Sequence, residues 1–208
     1  SIYKIVVCSL LTLSITSCEK DLLEKEQYQK EIYLIGAYNR VWTTEVSYSN
    51  EEVKTYFTVS SSGTLALDRD VNVKMKINEE LVDIYNKKYW TVLNEDKYYK
   101  SLDTDLYSIP SLENTVIKHA EGISTEVPVL IKTASLKIDQ SYVIPVEIES
   151  TTGYPVSTSG YKMLVLLKLK NEYSGSYQMS GHTTLEGETP KTIQKPKTIK
   201  PTGVNTVR

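Results

Sequence analysis

Between Glu31 and Lys170, apolar residues return at every second position in short runs, and turn residues separate the runs. A period of two is the pleat of a strand with one buried face. Val71-Asn72-Val73-Lys74-Met75-Lys76-Ile77 alternates strictly and places Val71, Val73, Met75 and Ile77 on one side. The same alternation appears at Val127, Val129 and Ile131 and again at Val146 and Ile148, while Val53 to Val59 interleaves Tyr and Phe with Thr. Met163 to Leu169 is almost continuously apolar, as expected of a central strand covered on both faces. Turns are expected at Ser60-Ser61-Ser62-Gly63, Glu121-Gly122, Thr152-Gly153-Tyr154-Pro155 and Ser159-Gly160. These runs predict an all-β fold, an immunoglobulin-like Greek-key β-sandwich over residues 31–170. A module of about 140 residues buries close to two thirds of its unfolded surface, enough for one core without covalent staples.

One segment departs from this pattern. Asn78 can cap a helix whose first turn holds Glu79 and Glu80, with Lys87 and Lys88 at the far end where they suit the helix dipole. Its expected sheet-facing side is Leu81, Ile84, Tyr85 and Tyr89, a short amphipathic helix laid over a sheet. Sixteen tyrosines against one phenylalanine suit strands whose rings pack while their hydroxyls reach water.

The start of the chain reads as an export signal. Lys4 precedes an apolar run from Ile5 to Ile15, and these 11 residues are too few to span a bilayer, which needs roughly 20. The run closes on Ile15-Thr16-Ser17-Cys18, which resembles the bacterial lipobox. That resemblance implies a signal peptide over residues 1–17 and a lipid anchor on Cys18. The other cysteine, Cys8, would leave with the signal, so no thiol remains for a disulfide or a thiolate metal site. Residues 18–30 form an acidic tether, expected to be a solvated linker, and such tethers resemble the surface-export signals of Bacteroidota lipoproteins.

Beyond Asn171 the composition changes. Pro190-Lys191-Thr192-Ile193 recurs as Pro196-Lys197-Thr198-Ile199, and prolines at 190, 196 and 201 forbid a helix. Residues 171–208 are expected to be the start of a second, truncated domain or a linker. The formal charge is −2, and −3 without residues 1–17, whose only charge is Lys4. Nothing in that balance favours a nucleic-acid partner.

Searches for chemistry return no G-x-S-x-G elbow, P-loop, dinucleotide fingerprint or H-E-x-x-H. His119 and His182 stand 63 positions apart and read as ordinary loop or strand residues. Asp68, Asp70, Asp103 and Asp105 read as turn carboxylates, because neither pair continues into a calcium loop. Neither a catalytic residue, a metal site nor a cofactor is assigned. The aromatic residues Trp42, Trp90, Tyr98 and Tyr99 fall near expected loops or element ends, where a ring can stack on a sugar; packing in the core or rim is the competing account of each.

From about Tyr33 to Tyr177 the chain resembles the N-terminal module of Bacteroidota surface lipoproteins known as domain-of-unknown-function family 1735. The resemblance lies in Asn78 to Tyr89 with its central Ile84-Tyr85-Asn86, in Leu106-Tyr107-Ser108-Ile109, in Ser141 to Ile148, and in the Gly153 turn with the Met163 strand. Where the family usually has Leu-Pro, this chain has Leu102-Asp103. The resemblance implies a non-catalytic spacer module in a glycan binding and uptake system, anchored at the outer membrane and exposed at the cell surface. Its expected partners are the outer membrane through the lipid, a glycan through a following domain, and an outer-membrane transporter complex as a candidate. The alternative is the N-terminal module of a glycoside hydrolase whose catalytic domain lies elsewhere.

Overall fold

The computed structural model describes residues 25–208 apart from 139, 185 and 188. The signal segment, Cys18 and the first part of the tether lie outside the described residues. In chain order the strands are β1 (Ile32–Leu34), β2 (Val41–Ser47), β3 (Glu52–Ser61), β4 (Val71–Ile77), β5 (Lys100–Ser101) and β6 (Tyr107–Ser108). They continue as β7 (Thr115–Ile117), β8 (Ser124–Lys132), β9 (Tyr142–Thr151), β10 (Lys162–Lys170), β11 (Gly175–Thr183) and β12 (Lys191–Ile199). One α-helix, α1 (Glu80–Tyr89), follows β4.

Two sheets face each other, in the orders β1-β3-β8-β6 and β2-β10-β9-β4-β7, with β5 beside β9 in the second. This is the Greek-key order of an immunoglobulin-like sandwich, with the first strand divided between the sheets. β1 pairs with β3 antiparallel, and β2 pairs with β10 parallel. The crossing between them is a single 3-10 turn, Ala37–Asn39, flanked by Gly36 at φ 89° and Arg40 at φ 63°. Gly36 is required twice over: the left-handed φ favours it, and a Cβ there would lie 2.7 Å from Cε3 of Trp42.

The alternation expected of β4 is realised: Val71, Val73 and Met75 are buried and Asn72, Lys74 and Lys76 exposed. Inward residues of the second sheet, including Met75, Ile144, Val146 and Val165, meet Phe57, Val59, Val127, Val129 and Ile131 from the first. Each such side chain contributes about 1.5–3 kcal/mol by leaving water. The continuous apolar run of β10 is explained by a second layer. Met163, Val165 and Leu167 point into the sandwich, whereas Leu164 points outward under α1, with Val143 of β9 and Leu81 and Val82 of the helix. Ser60 and Ser61, expected in a turn, are buried strand residues that end β3, and the turn begins after them.

The chain enters and leaves the sandwich at opposite ends. At the entry end, Ser62 N–H donates to the Glu31 carbonyl (2.9 Å), and Ile32 N–H donates to that of Pro155 (2.9 Å). Ahead of it, the Glu26 carboxylate accepts from Lys30 Nζ and from the N–H groups of Thr64 and Leu65. At the exit end, Tyr48 N–H donates to the Lys170 carbonyl (2.6 Å), and Ser49 N–H to Thr133 Oγ1 (2.9 Å). β3 runs ten residues between the two ends, about 30 Å at the rise of a strand.

Past the exit, β11 and β12 pair antiparallel over nine residues as a two-stranded ribbon with no buried residue in either strand. Pro196 is tolerated because β12 has a free edge on which its missing N–H costs nothing. The ribbon's base is held by Asn171. Its Nδ2 donates to the carbonyls of Gly203 (2.8 Å) and Thr206 (2.9 Å), and its Oδ1 accepts from Tyr173 N–H (3.1 Å).

Candidate functional site

The outward face of the second sheet carries α1 over one part and a groove beside it. Asn78 Oδ1 accepts the Glu80 N–H (3.2 Å), so the expected cap is in place. The buried side of the helix differs from expectation: it is Leu81, Val82 and Asn86, with Tyr85 partly buried, while Ile84 and Tyr89 are 52% and 48% exposed. The cause is Asn86. Its side chain turns inward, donates to the Tyr99 carbonyl (2.8 Å) and accepts the Tyr99 N–H (2.9 Å), satisfying a half-buried backbone that no strand pairs.

Tyr99, one of the four sequence candidates, is thereby fixed as a packing residue. Its ring stacks on Tyr85 at 5.1 Å and 9°, and Tyr85 in turn meets Tyr89 at 4.5 Å. Burial pushes the Tyr85 hydroxyl up to about 12, so it is a neutral hydroxyl throughout the physiological range. Trp90 ends the helix, its N–H donating to the Asn86 carbonyl (2.9 Å), and Lys97 Nζ lies 5.6 Å from its ring. Trp90 Nε1 is buried and has no hydrogen-bond partner among the described residues. Tyr98 gives its carbonyl to Gln140 Nε2 (3.3 Å). Trp42 sits apart from these three, on β2 against Gly36, with 36% of its surface exposed. No ring contact among the described residues joins any two of the four candidates.

Beside the helix-covered half, a groove of about 540 Å³ opens between the sheet, the residues Ile138, Gln140 and Ser141, and the base of the ribbon. Its floor is the outward side of β2 and β10. Glu45 is centred there between Lys168 Nζ (3.2 Å) and Lys170 Nζ (2.8 Å), two positions apart on one face of β10. Hydrogen bonds from Lys170 and then Lys168 hold the Glu45 carboxyl below its ordinary pKa. Lys200 lines the ribbon side, so the lining holds three lysines and one carboxylate. Thr43, Gln140, Ser141, Ser176 and Thr198 line it together with apolar residues such as Ile138, Leu166 and Ile199, and no aromatic residue is in the lining.

None of these groove residues was a sequence candidate. The available signal was faint: Lys168 is the one charge inside the apolar run Met163 to Leu169, and Lys170 follows two positions on. Elsewhere, His119 pairs with Asp70 (Nδ1 to Oδ1, 2.6 Å) and His182 lies on exposed β11 near Thr192 Oγ1 (3.3 Å). Asp68 is occupied by Arg69 and by the Tyr154 hydroxyl. No group of three or more His, Cys, Asp or Glu side chains suited to a metal ion occurs among the described residues.

Comparisons with known proteins divide the chain between residues 155 and 161, ahead of β10 and so within the sandwich rather than at Asn171. A family model described as an N-terminal domain matches residues 28–155, and one described as a C-terminal domain matches residues 161–208. No curated protein matches. Among solved structures, a multidomain protein from Bacteroides ovatus that includes domain-of-unknown-function family 1735 aligns at 20% identity with a TM-score of 0.58, over 81% of this chain and 55% of that one. A putative carbohydrate-binding protein from the same organism aligns at 17% identity and TM-score 0.52, over 76% and 43%. EndoBT-3987 of Bacteroides thetaiotaomicron, solved with Man5GlcNAc product, aligns at 18% identity and TM-score 0.50, over 69% and 33%. The chain thus spans about half the length, or less, of these structures, and the likeness is one of fold.

Proposed function

Because this chain belongs to the family of Bacteroidota proteins built on the domain-of-unknown-function 1735 module, we propose that it is a non-catalytic, surface-anchored accessory protein of glycan binding and uptake, whose sandwich spaces a following domain from the membrane. The observation that carries this reading is the separation of entry and exit. The tether is sewn to one end of the sandwich by Glu26, Lys30 and Ser62, and the ribbon leaves from the other, about 30 Å away, locked by Asn171. Glu26 follows Cys18 by eight positions, a reach of at most about 29 Å. A lipid on Cys18 would therefore keep the entry end close to the bilayer and direct the ribbon away from it. The carbohydrate-binding neighbour supports the glycan context.

Residues 19–208 contain no cysteine, so label pairs can be introduced freely. Spin labels at Ser62→Cys and Thr198→Cys should give one narrow distance of roughly 30 Å or more. A broad distribution, or a peak far below that length, would remove the spacer assignment. The neighbour solved with a glycan product favours a second reading, a module that precedes a glycoside hydrolase. Release of reducing ends by the protein would decide for the hydrolase.

A further inference from the structure

We propose that the groove between the second sheet and the base of the ribbon is a binding site for an acidic oligosaccharide. This goes beyond the spacing role, which rests on the separation of the two ends and stands whether or not the groove is filled. Three features define the ligand. The first is size and place: about 540 Å³ at the junction of module and ribbon lies within the range of small-ligand clefts, which favour such junctions. The second is charge. Lys168, Lys170 and Lys200 outnumber Glu45, so the lining attracts an anion, and the concave shape concentrates that field. Glu45 bridges the two lysines of β10 and holds them as an ordered pair of donors on the floor, with the side chains about half exposed and reachable.

The third feature separates a sugar from other polyanions. The hydroxyls of Thr43, Ser141, Ser176 and Thr198 and the amide of Gln140 both donate and accept, as ring hydroxyls require. A single-stranded nucleic acid site combines a basic groove with aromatic side chains on which successive bases stack, and this groove has no aromatic residue in its lining. The sequence candidates Trp90 and Tyr99 belong instead to the helix end, outside its lining. A uronate-type carboxylate would seat at Lys168 and Lys200, with ring hydroxyls toward the Thr, Ser and Gln residues of the lining. The ribbon supplies one wall, so the site exists only when the chain continues past Asn171.

The test is calorimetric titration of the whole chain with tetragalacturonate, with an uncharged tetrasaccharide of equal length and with a short oligothymidylate. Tetragalacturonate should bind about tenfold more tightly than either of the others, and its affinity should fall as salt is raised. Lys168→Gln and Lys200→Gln should each weaken binding roughly threefold or more. Glu45→Gln removes the competing carboxylate and should strengthen it, an effect that loss of folding does not mimic. Preference for the uncharged sugar, tighter binding of the oligothymidylate, no heat with tetragalacturonate at millimolar concentration, or affinity unmoved by Glu45→Gln would each overturn the assignment.

Discussion

Asn86 sits in the middle of α1 with only 4% of its surface exposed, and both ends of its amide are spent on the backbone of Tyr99. Truncation to Ala would leave a half-buried N–H and carbonyl without partners, a cost of about 2 kcal/mol or more. For a chain of this size that corresponds to a fall in melting temperature of roughly 4–8 °C. Asn86→Asp keeps the acceptor for the Tyr99 N–H but sets a carboxylate oxygen against the Tyr99 carbonyl in a buried site, so at neutral pH it should cost at least as much as Ala. A melting temperature for Asn86→Ala within about 1 °C of wild type would mean that the helix is held by Leu81 and Val82 alone. The residue also shows the limit of periodicity. Apolar spacing points to Ile84 and Tyr89 as buried, yet a polar side chain with two obligatory backbone partners rotates the helix, and Val82 goes inward instead.

Among the elements, the tether behaves least like its composition. Its charges suggest a solvated linker, but from Glu26 onward they are engaged: the carboxylate accepts from Lys30, Thr64 and Leu65, and Lys30 also donates to the Leu65 carbonyl. The Lys30 hydrogen bond foremost, followed by the Thr64 N–H, brings the Glu26 pKa down from 4.5 to about 2. The folded value lies below the unfolded one, so the latch contributes fully above about pH 4.5 and is lost as pH falls through about 2. In an NMR pH titration, the Thr64 and Leu65 amide shifts should move with a midpoint near 2. A midpoint at the ordinary carboxylate value would show an unlatched tether. At the other end, the ribbon buries none of its strand residues, and an isolated two-stranded sheet is marginal in water. Its order therefore depends on the Asn171 contacts at its base.

For the molecule as a whole, the spacing role requires an anchor. The Lys4 to Ile15 core followed by Thr16-Ser17-Cys18 leads us to expect acylation of Cys18. Cells grown with a labelled fatty acid should label the wild-type protein and not Cys18→Ala; equal labelling of the two would dissociate the latched end of the sandwich from the membrane. With the lipid in place, the short reach from Cys18 to Glu26 makes the module a stand rather than a tethered float.

The positions of β3, β4, β8, β9 and β10, the sandwich, the inward phase of β4, β8 and β9 and the presence of a helix after β4 were legible in the sequence; β2 and the ribbon strands were not. A period of two and a run of turn residues are local properties, and backbone geometry converts them to faces without reference to the rest of the chain. The aromatic candidates were legible only as residue types. Whether Tyr99 stacks on Tyr85 or on a ligand depends on how the loop after α1 folds back on the helix, and tertiary packing places it on Tyr85. The groove was beyond local reading for the same reason. Glu45, Lys168 and Lys200 are widely separated in sequence, and only the parallel pairing of β2 with β10 and the folding back of the ribbon base bring them together. Charge carries no periodic mark of its partner, so an ion pair between distant strands is decided by topology alone.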